Sequence, residues 1–203
     1  MLLLFAITGC QKSFELQSAA FSNNERIPDK YCFGGSGERQ NISLPFNWIN
    51  PPLGTQSFAL IMRSSGSNKI RWAVFNIPAN CNEITEGASV RNMPEGCVEL
   101  SNFRRTTPPY YGPEPQPGGW VYDFIIELYA LNTTIDDING FKSYFEISNI
   151  LEGKVIAKTQ MIGTQSKERI NPLYYDIFSG VIHNKGCLFP PSAAVSVRSR
   201  FFV

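Results

Sequence analysis

Three apolar runs, each short and each bounded by turn residues, constrain the fold more than any other feature of this chain. They are Gln56-Ser57-Phe58-Ala59-Leu60-Ile61-Met62, Arg71-Trp72-Ala73-Val74-Phe75-Asn76-Ile77-Pro78 and Tyr122-Asp123-Phe124-Ile125-Ile126-Glu127-Leu128-Tyr129-Ala130-Leu131. Runs this short, rich in β-branched and aromatic residues and lacking a 3.6-residue period, read as buried strands. Between the second and third lies the loop Pro108-Pro109-Tyr110-Tyr111-Gly112-Pro113-Glu114-Pro115-Gln116-Pro117-Gly118-Gly119, a connector or an exposed docking loop. A pocket, if present, is expected where those strand ends meet that loop.

The flanking sequence extends the β pattern. Phe14-Glu15-Leu16 and Ile42-Ser43-Leu44-Pro45-Phe46-Asn47-Trp48 alternate at period two, and Pro45 restricts the second to an edge or breaks it. Helical signal is limited to one turn near Thr134-Ile135-Asp136-Asp137-Ile138 and a short helix over Ser143 to Leu151 ended by Gly153. A strand over Lys154 to Gly163 follows, and beyond Ser166 no period survives. The expected fold is mainly β, with a few short helices in a body spanning residues 10–166. Residues 167–203 form a C-terminal extension expected to pack along that body.

Charge excludes one function class. Eighteen Lys and Arg stand against 17 Asp and Glu, a net charge of +1, so no overall field draws nucleic acid. No catalytic motif, cofactor motif or close Cys-x-x-Cys pair for a metal is present. The single histidine, His183, lies four residues before Cys187 and reads as a tail residue beside a bridged cysteine rather than half of a metal site.

The N-terminus points to export. Residues 1–9 are apolar and end in Ile7-Thr8-Gly9 before Cys10, which resembles a bacterial lipoprotein signal, although no basic residue precedes the run. This implies a mature protein anchored to a membrane of the cell envelope through lipid (diacylglycerol, palmitate) on Cys10. Four cysteines then remain, allowing two disulfides in three pairings. Cys81 and Cys97 flank a turn-rich segment and form the easiest local bridge, worth about 3 kcal/mol; Cys32 with Cys187 follows by elimination.

The order and spacing of several segments resemble the phosphatidylethanolamine-binding protein family, in its bacterial Raf-kinase-inhibitor-like branch. They are Ile27-Pro28 before Cys32, Ser43 to Trp48, Gly54 to Met62, Arg71 to Pro78, Tyr111 to Pro115, Tyr122 to Leu131, Leu151 to Ala157 and Ile162-Gly163-Thr164. The resemblance implies a Greek-key-like central β-sheet and one small surface pocket that accepts an anion such as a phosphate head group. The family builds that pocket from an acid-proline loop, two histidines and a Gly-Pro loop. Here Gly112, Pro113 and Tyr122 match, Arg63 to Asn68 replace the acid-proline loop, and Arg71 and Trp120 stand at the histidine positions.

These exchanges replace titrating imidazoles by permanent guanidinium charge. With Arg63 and Arg71 as a positive pair and Trp120 as a wall, the expected ligand is a phosphate or carboxylate. The other outcome is a closed pocket, in which Arg71 pairs with Asp123 or Glu114 and Trp120 fills the hole. Function is expected to be non-enzymatic, through a small anion or a protein partner; a small hydrolase or an inhibitor of one is the alternative from a different class.

Overall fold

The computed structural model describes residues 12–34, 38–114 and 120–166. The lipoprotein-like segment with Cys10, and the extension with His183 and Cys187, lie outside the described residues.

Among the described residues, eight strands form two antiparallel sheets. The smaller has the order β1-β2-β5, from Glu15–Gln17, Phe46–Ile49 and Glu83–Ile84. The larger has the order β6-β4-β3-β7-β8, built from Ser57–Ser64 (β3), Ile70–Pro78 (β4), Val98–Leu100 (β6), Val121–Leu131 (β7) and Val155–Ser166 (β8). Strand β2 starts immediately after Pro45, whose missing N–H cannot extend the ladder.

The three apolar runs are the centre of the larger sheet, and they lack alternation because both faces are covered. Phe58, Leu60, Met62, Trp72, Val74, Phe124, Ile126 and Leu128 face the smaller sheet and pack with Phe46 and Trp48 in the main core. Ala59, Ile61, Ala73, Phe75, Tyr129 and Leu131 face the other way, under a second core. That second core is capped by helix α1, Tyr144–Leu151, which buries Ile147 and Leu151. Ser143 and Glu146 close a capping box at its start.

Two expectations are corrected. The turn of helix at 134–138 does not form, because both backbone groups of Ile135 are taken by the Asn76 carboxamide: Ile135 N–H donates to Asn76 Oδ1 at 2.8 Å, and Asn76 Nδ2 donates to Ile135 O at 2.9 Å. Cys81 and Cys97 are not bridged; both are free thiols packed against the main core. Backbone bonds from Cys81 N to Pro78 O (2.9 Å) and from Cys97 N to Pro94 O (3.2 Å) hold their turns instead. Cys32 is likewise a free, buried thiol.

Candidate functional site

A β-bulge decides where Arg71 points. Met62 pairs with Trp72 but Arg63 pairs with Ile70, so β4 carries one extra residue, Arg71, opposite a single step of β3. A bulge re-aims the side chain it carries. Arg71 accordingly leaves the alternation of its neighbours and lies on the main-core side, its guanidinium over the rings of Phe103 (4.8 Å), Tyr111 (5.4 Å) and Phe124 (5.4 Å). Its Nε donates to Ser64 Oγ at 3.0 Å and its Nη1 to Gly112 O at 3.2 Å.

The side chain is mostly covered, the residue being 8% exposed. Burial pushes the guanidinium below its ordinary value and the Glu114 charge opposes that, but guanidinium remains a cation in proteins. Only two of its five N–H groups are engaged; the other three have no hydrogen-bond partner among the described residues.

The loop carrying Gly112 is fixed from below. Tyr110, fully buried, donates its hydroxyl to Tyr31 O at 2.9 Å, Phe33 N–H bonds Pro113 O at 2.9 Å, and Tyr111 N–H bonds Arg71 O at 2.8 Å. Asn41 spans the loop, donating to Tyr110 O (3.2 Å) and accepting from Gly112 N–H (2.8 Å). Phe33 stacks on Tyr111 with centroids 4.1 Å apart. Residues 110–114 are therefore a rigid connector, not a free docking loop. Around its rim, Lys69 and Arg104 both lie over the Phe103 ring at 5.3 Å, and Arg104 pairs with Glu114 at 3.1 Å. Three cations thus converge on one aromatic ring near one carboxylate.

Of the residues expected to form the pocket, Arg71, Gly112 and Pro113 come together. Arg63 does not join them. It follows Ile61 on the second-core face, where its Nε pairs with Glu127 at 3.1 Å, its Nη1 donates to Asn68 at 2.7 Å and its plane covers Tyr144 at 4.3 Å. The expected arginine pair is thereby corrected: the two side chains occupy opposite faces of one sheet. Nor does Trp120 fill a hole, being 70% exposed, and Tyr122 is exposed opposite Gln165 on β8. The expected pairing of Arg71 with Asp123 or Glu114 is not an ion pair in the structure; Arg104 takes Glu114. Phe103, Arg104 and Lys69 escaped the sequence reading, although Phe103-Arg104 is an aromatic-basic step of the kind that marks such a rim.

No group of three or more His, Cys, Asp or Glu among the described residues is placed to hold a metal ion. Likewise no helix among them is long and apolar enough to cross a membrane.

Comparisons place this architecture among known proteins. Residues 17–166 match the sequence model of the family described as phosphatidylethanolamine-binding protein. A UPF0098 protein of Methanothermobacter thermautotrophicus is 32% identical over 152 residues, covering 73% of this chain and 95% of its own. The UPF0098 protein YbhB of Escherichia coli is 28% identical over 133 residues, covering 62% and 82%. In structure, E. coli YbcL superposes with a TM-score of 0.69 over 76% of this chain and 99% of its own, at 24% identity. A phosphatidylethanolamine-binding protein homologue from Chlamydia trachomatis gives 0.64 over 77% and 99%, also at 24%. The family model spans the 150 residues from Gln17 to Ser166, well over half of the chain, and the chain belongs to the phosphatidylethanolamine-binding protein family.

Proposed function

We propose that this protein is a non-enzymatic binding protein that takes a small anion, a phosphate head group or a carboxylate, at the Arg71 centre. The observation that carries this reading is the Arg71 guanidinium itself: held over three rings, tied at two N–H groups, and with its other three donors uncommitted among the described residues. A planar fork fixed in this way suits the paired oxygens of a phosphate or carboxylate. Lys69 and Arg104 add positive charge at the rim. A guanidinium neither gives nor takes protons near neutral pH, which favours binding over acid-base catalysis.

Titration of the full chain with inorganic phosphate, phosphoethanolamine and acetate, followed by amide chemical shifts, tests this. Saturable shifts centred on residues 64, 71, 103 and 112 are expected. Arg71→Gln should weaken binding by a factor of ten or more, since a charge-assisted hydrogen bond contributes about 1.5–3 kcal/mol, whereas Arg63→Gln should leave it nearly unchanged. A flat response to all three anions, or one indifferent to Arg71→Gln, overturns the reading and makes the site a closed structural arginine.

The lipoprotein-like N-terminus supports a location at the cell envelope, with the domain tethered through Cys10. Cys10→Ser should move the protein from the membrane fraction to the soluble fraction; retention in the membrane rules out that anchor.

A further inference from the structure

A cavity lies beside Asn41, the residue that spans the Gly112 loop. It measures about 490 Å3 and is framed by segment 40–43, turn 86–92 and the Thr107-Pro108 step. Its volume is in the range of small-molecule sites, about 300–1,000 Å3. None of the ring or hydrogen-bond partners of Arg71 lines it.

The frame is fixed by its own hydrogen bonds. Gly87 N–H donates to Ser43 O at 2.9 Å and Ser89 N–H donates to Ser43 Oγ at 3.1 Å. Arg91 and Asn92 follow, both with backbone N–H groups on Ala88 O at 2.9 Å. On this frame stand four polar side chains with no hydrogen bond or ion pair among the described residues: Gln40, Arg91, Asn92 and Thr107.

Charge narrows the ligand. Glu86 is the carboxylate of the cavity, and its charge is already offset by Lys30, whose Nζ lies 2.9 and 3.1 Å from its oxygens, and by the Tyr31 hydroxyl at 2.5 Å. Arg91 has no such counter-charge. The cavity therefore holds one uncompensated cation, two free carboxamides, one free hydroxyl and an apolar remainder from Ile42, Val90 and Pro108. We propose that it binds a small hydroxylated carboxylate of the sugar-acid or hydroxy-acid class. Arg91 takes the carboxylate, Gln40, Asn92 and Thr107 take hydroxyls, and the apolar wall meets the carbon skeleton. A single guanidinium surrounded by amides fits a monoanion with hydroxyls better than a phosphate dianion, which calls for more positive charge.

D-Glucuronate, titrated into the isotope-labelled full chain, is the probe. Saturable amide shifts at 40–43, 86–92 and 107–108 are expected, with their own binding curve apart from any carboxylate response at 64, 71, 103 and 112. D-Glucose, which lacks the carboxylate, should bind about tenfold more weakly, as should glucuronate to Arg91→Gln, because a guanidinium-carboxylate contact is the strong one. Asn92→Ala should weaken it about threefold through loss of a neutral hydrogen bond. Both substitutions are on exposed side chains, and retained amide spectra will show that they fold. In Arg71→Gln, which removes the other anion centre, the glucuronate shifts at 40–43, 86–92 and 107–108 should persist, which separates this site from that one. Absence of saturable glucuronate binding, binding equal to that of glucose, or binding that survives Arg91→Gln overturns the proposal.

Discussion

Gly112 has room for a hydrogen and nothing larger. A Cβ built there lies 2.0 Å from Tyr31 O, a backbone atom that also accepts the Tyr110 hydroxyl. No side-chain rearrangement relieves a clash with backbone, so the loop itself must move. Gly112 O would then leave Arg71 Nη1, and Gly112 N would leave Asn41. Gly112→Ala is expected to cost about 3 kcal/mol, at the upper end of ordinary overpacking penalties, visible as a lower denaturant midpoint at unchanged slope. A loss below about 1 kcal/mol would mean that the loop yields freely and does not position Arg71. The thiols of buried Cys32 and half-buried Cys97 are equally context-bound. Burial pushes the Cys32 thiol up to about 11, although its Sγ accepts a hydrogen bond from Gln165 Nε2 at 3.1 Å. Burial likewise pushes Cys97 up to about 12. Thiolate, not thiol, is the nucleophile, so peptide mapping after brief alkylation at neutral pH should find Cys32 and Cys97 unmodified in the native protein and labelled in denaturant. Native labelling of Cys32 would contradict its placement.

Helix α1 is joined to the sheet through one carboxylate. Glu127, 1% exposed, accepts from Lys158 Nζ (3.0 Å), from Arg63 Nε (3.1 Å) and from the Tyr144 hydroxyl (3.1 Å), so strands β3, β7 and β8 and the first residue of the helix meet on its two oxygens. Burial alone would raise its pKa, but the hydrogen bonds from Lys158 and Arg63 hold it below the usual carboxylate value. A carboxylate with a depressed folded-state pKa adds stability that is fully present above the unfolded value of about 4.3 and is lost as pH falls through the lowered one. The wild-type protein should lose stability steeply below about pH 4, and Glu127→Gln should be less stable by about 2–4 kcal/mol at pH 7 but flatter in acid. Parallel acid-unfolding curves for the two proteins would sink this account. Part of this was legible in the sequence. The helix from Ser143, ended by Gly153, and the three central strands follow from period and turn chemistry alone. The role of Glu127 was not, because inside an apolar run its partners come from strands 31 and 64 residues away. The helical turn expected at 134–138 fails for a similar reason: its backbone is claimed by Asn76, 59 residues earlier and held at a positive φ of 57° beside a register shift.

At the scale of the molecule, the larger sheet acts as a partition with different work on its two sides. The family resemblance implied that Arg63 and Arg71, at strand ends, would form one positive pair. A single extra residue in β4 reverses that, since a one-residue slip sends a side chain to the opposite face. Arg63 serves the second core and the helix through Glu127, and Arg71 holds the Gly112 carbonyl on the main-core side. The family frame could be read from segment order because strands buried on both faces leave long apolar signatures. The chemistry set into that frame depends on bulges and loop contacts, which leave none. The partition makes a quantitative prediction. Arg63 and Arg71 share no hydrogen-bond partner, so the stability losses of Arg63→Gln and Arg71→Gln should add in the double variant to within about 0.5 kcal/mol. Anion affinity in the same set should track Arg71 alone, with Arg63→Gln unfolding at lower temperature yet binding phosphate as the parent does. A coupling energy well above 1 kcal/mol in the stability cycle, or equal losses of affinity in the two single variants, would show that the two arginines work as one charged unit and that the sheet does not separate them.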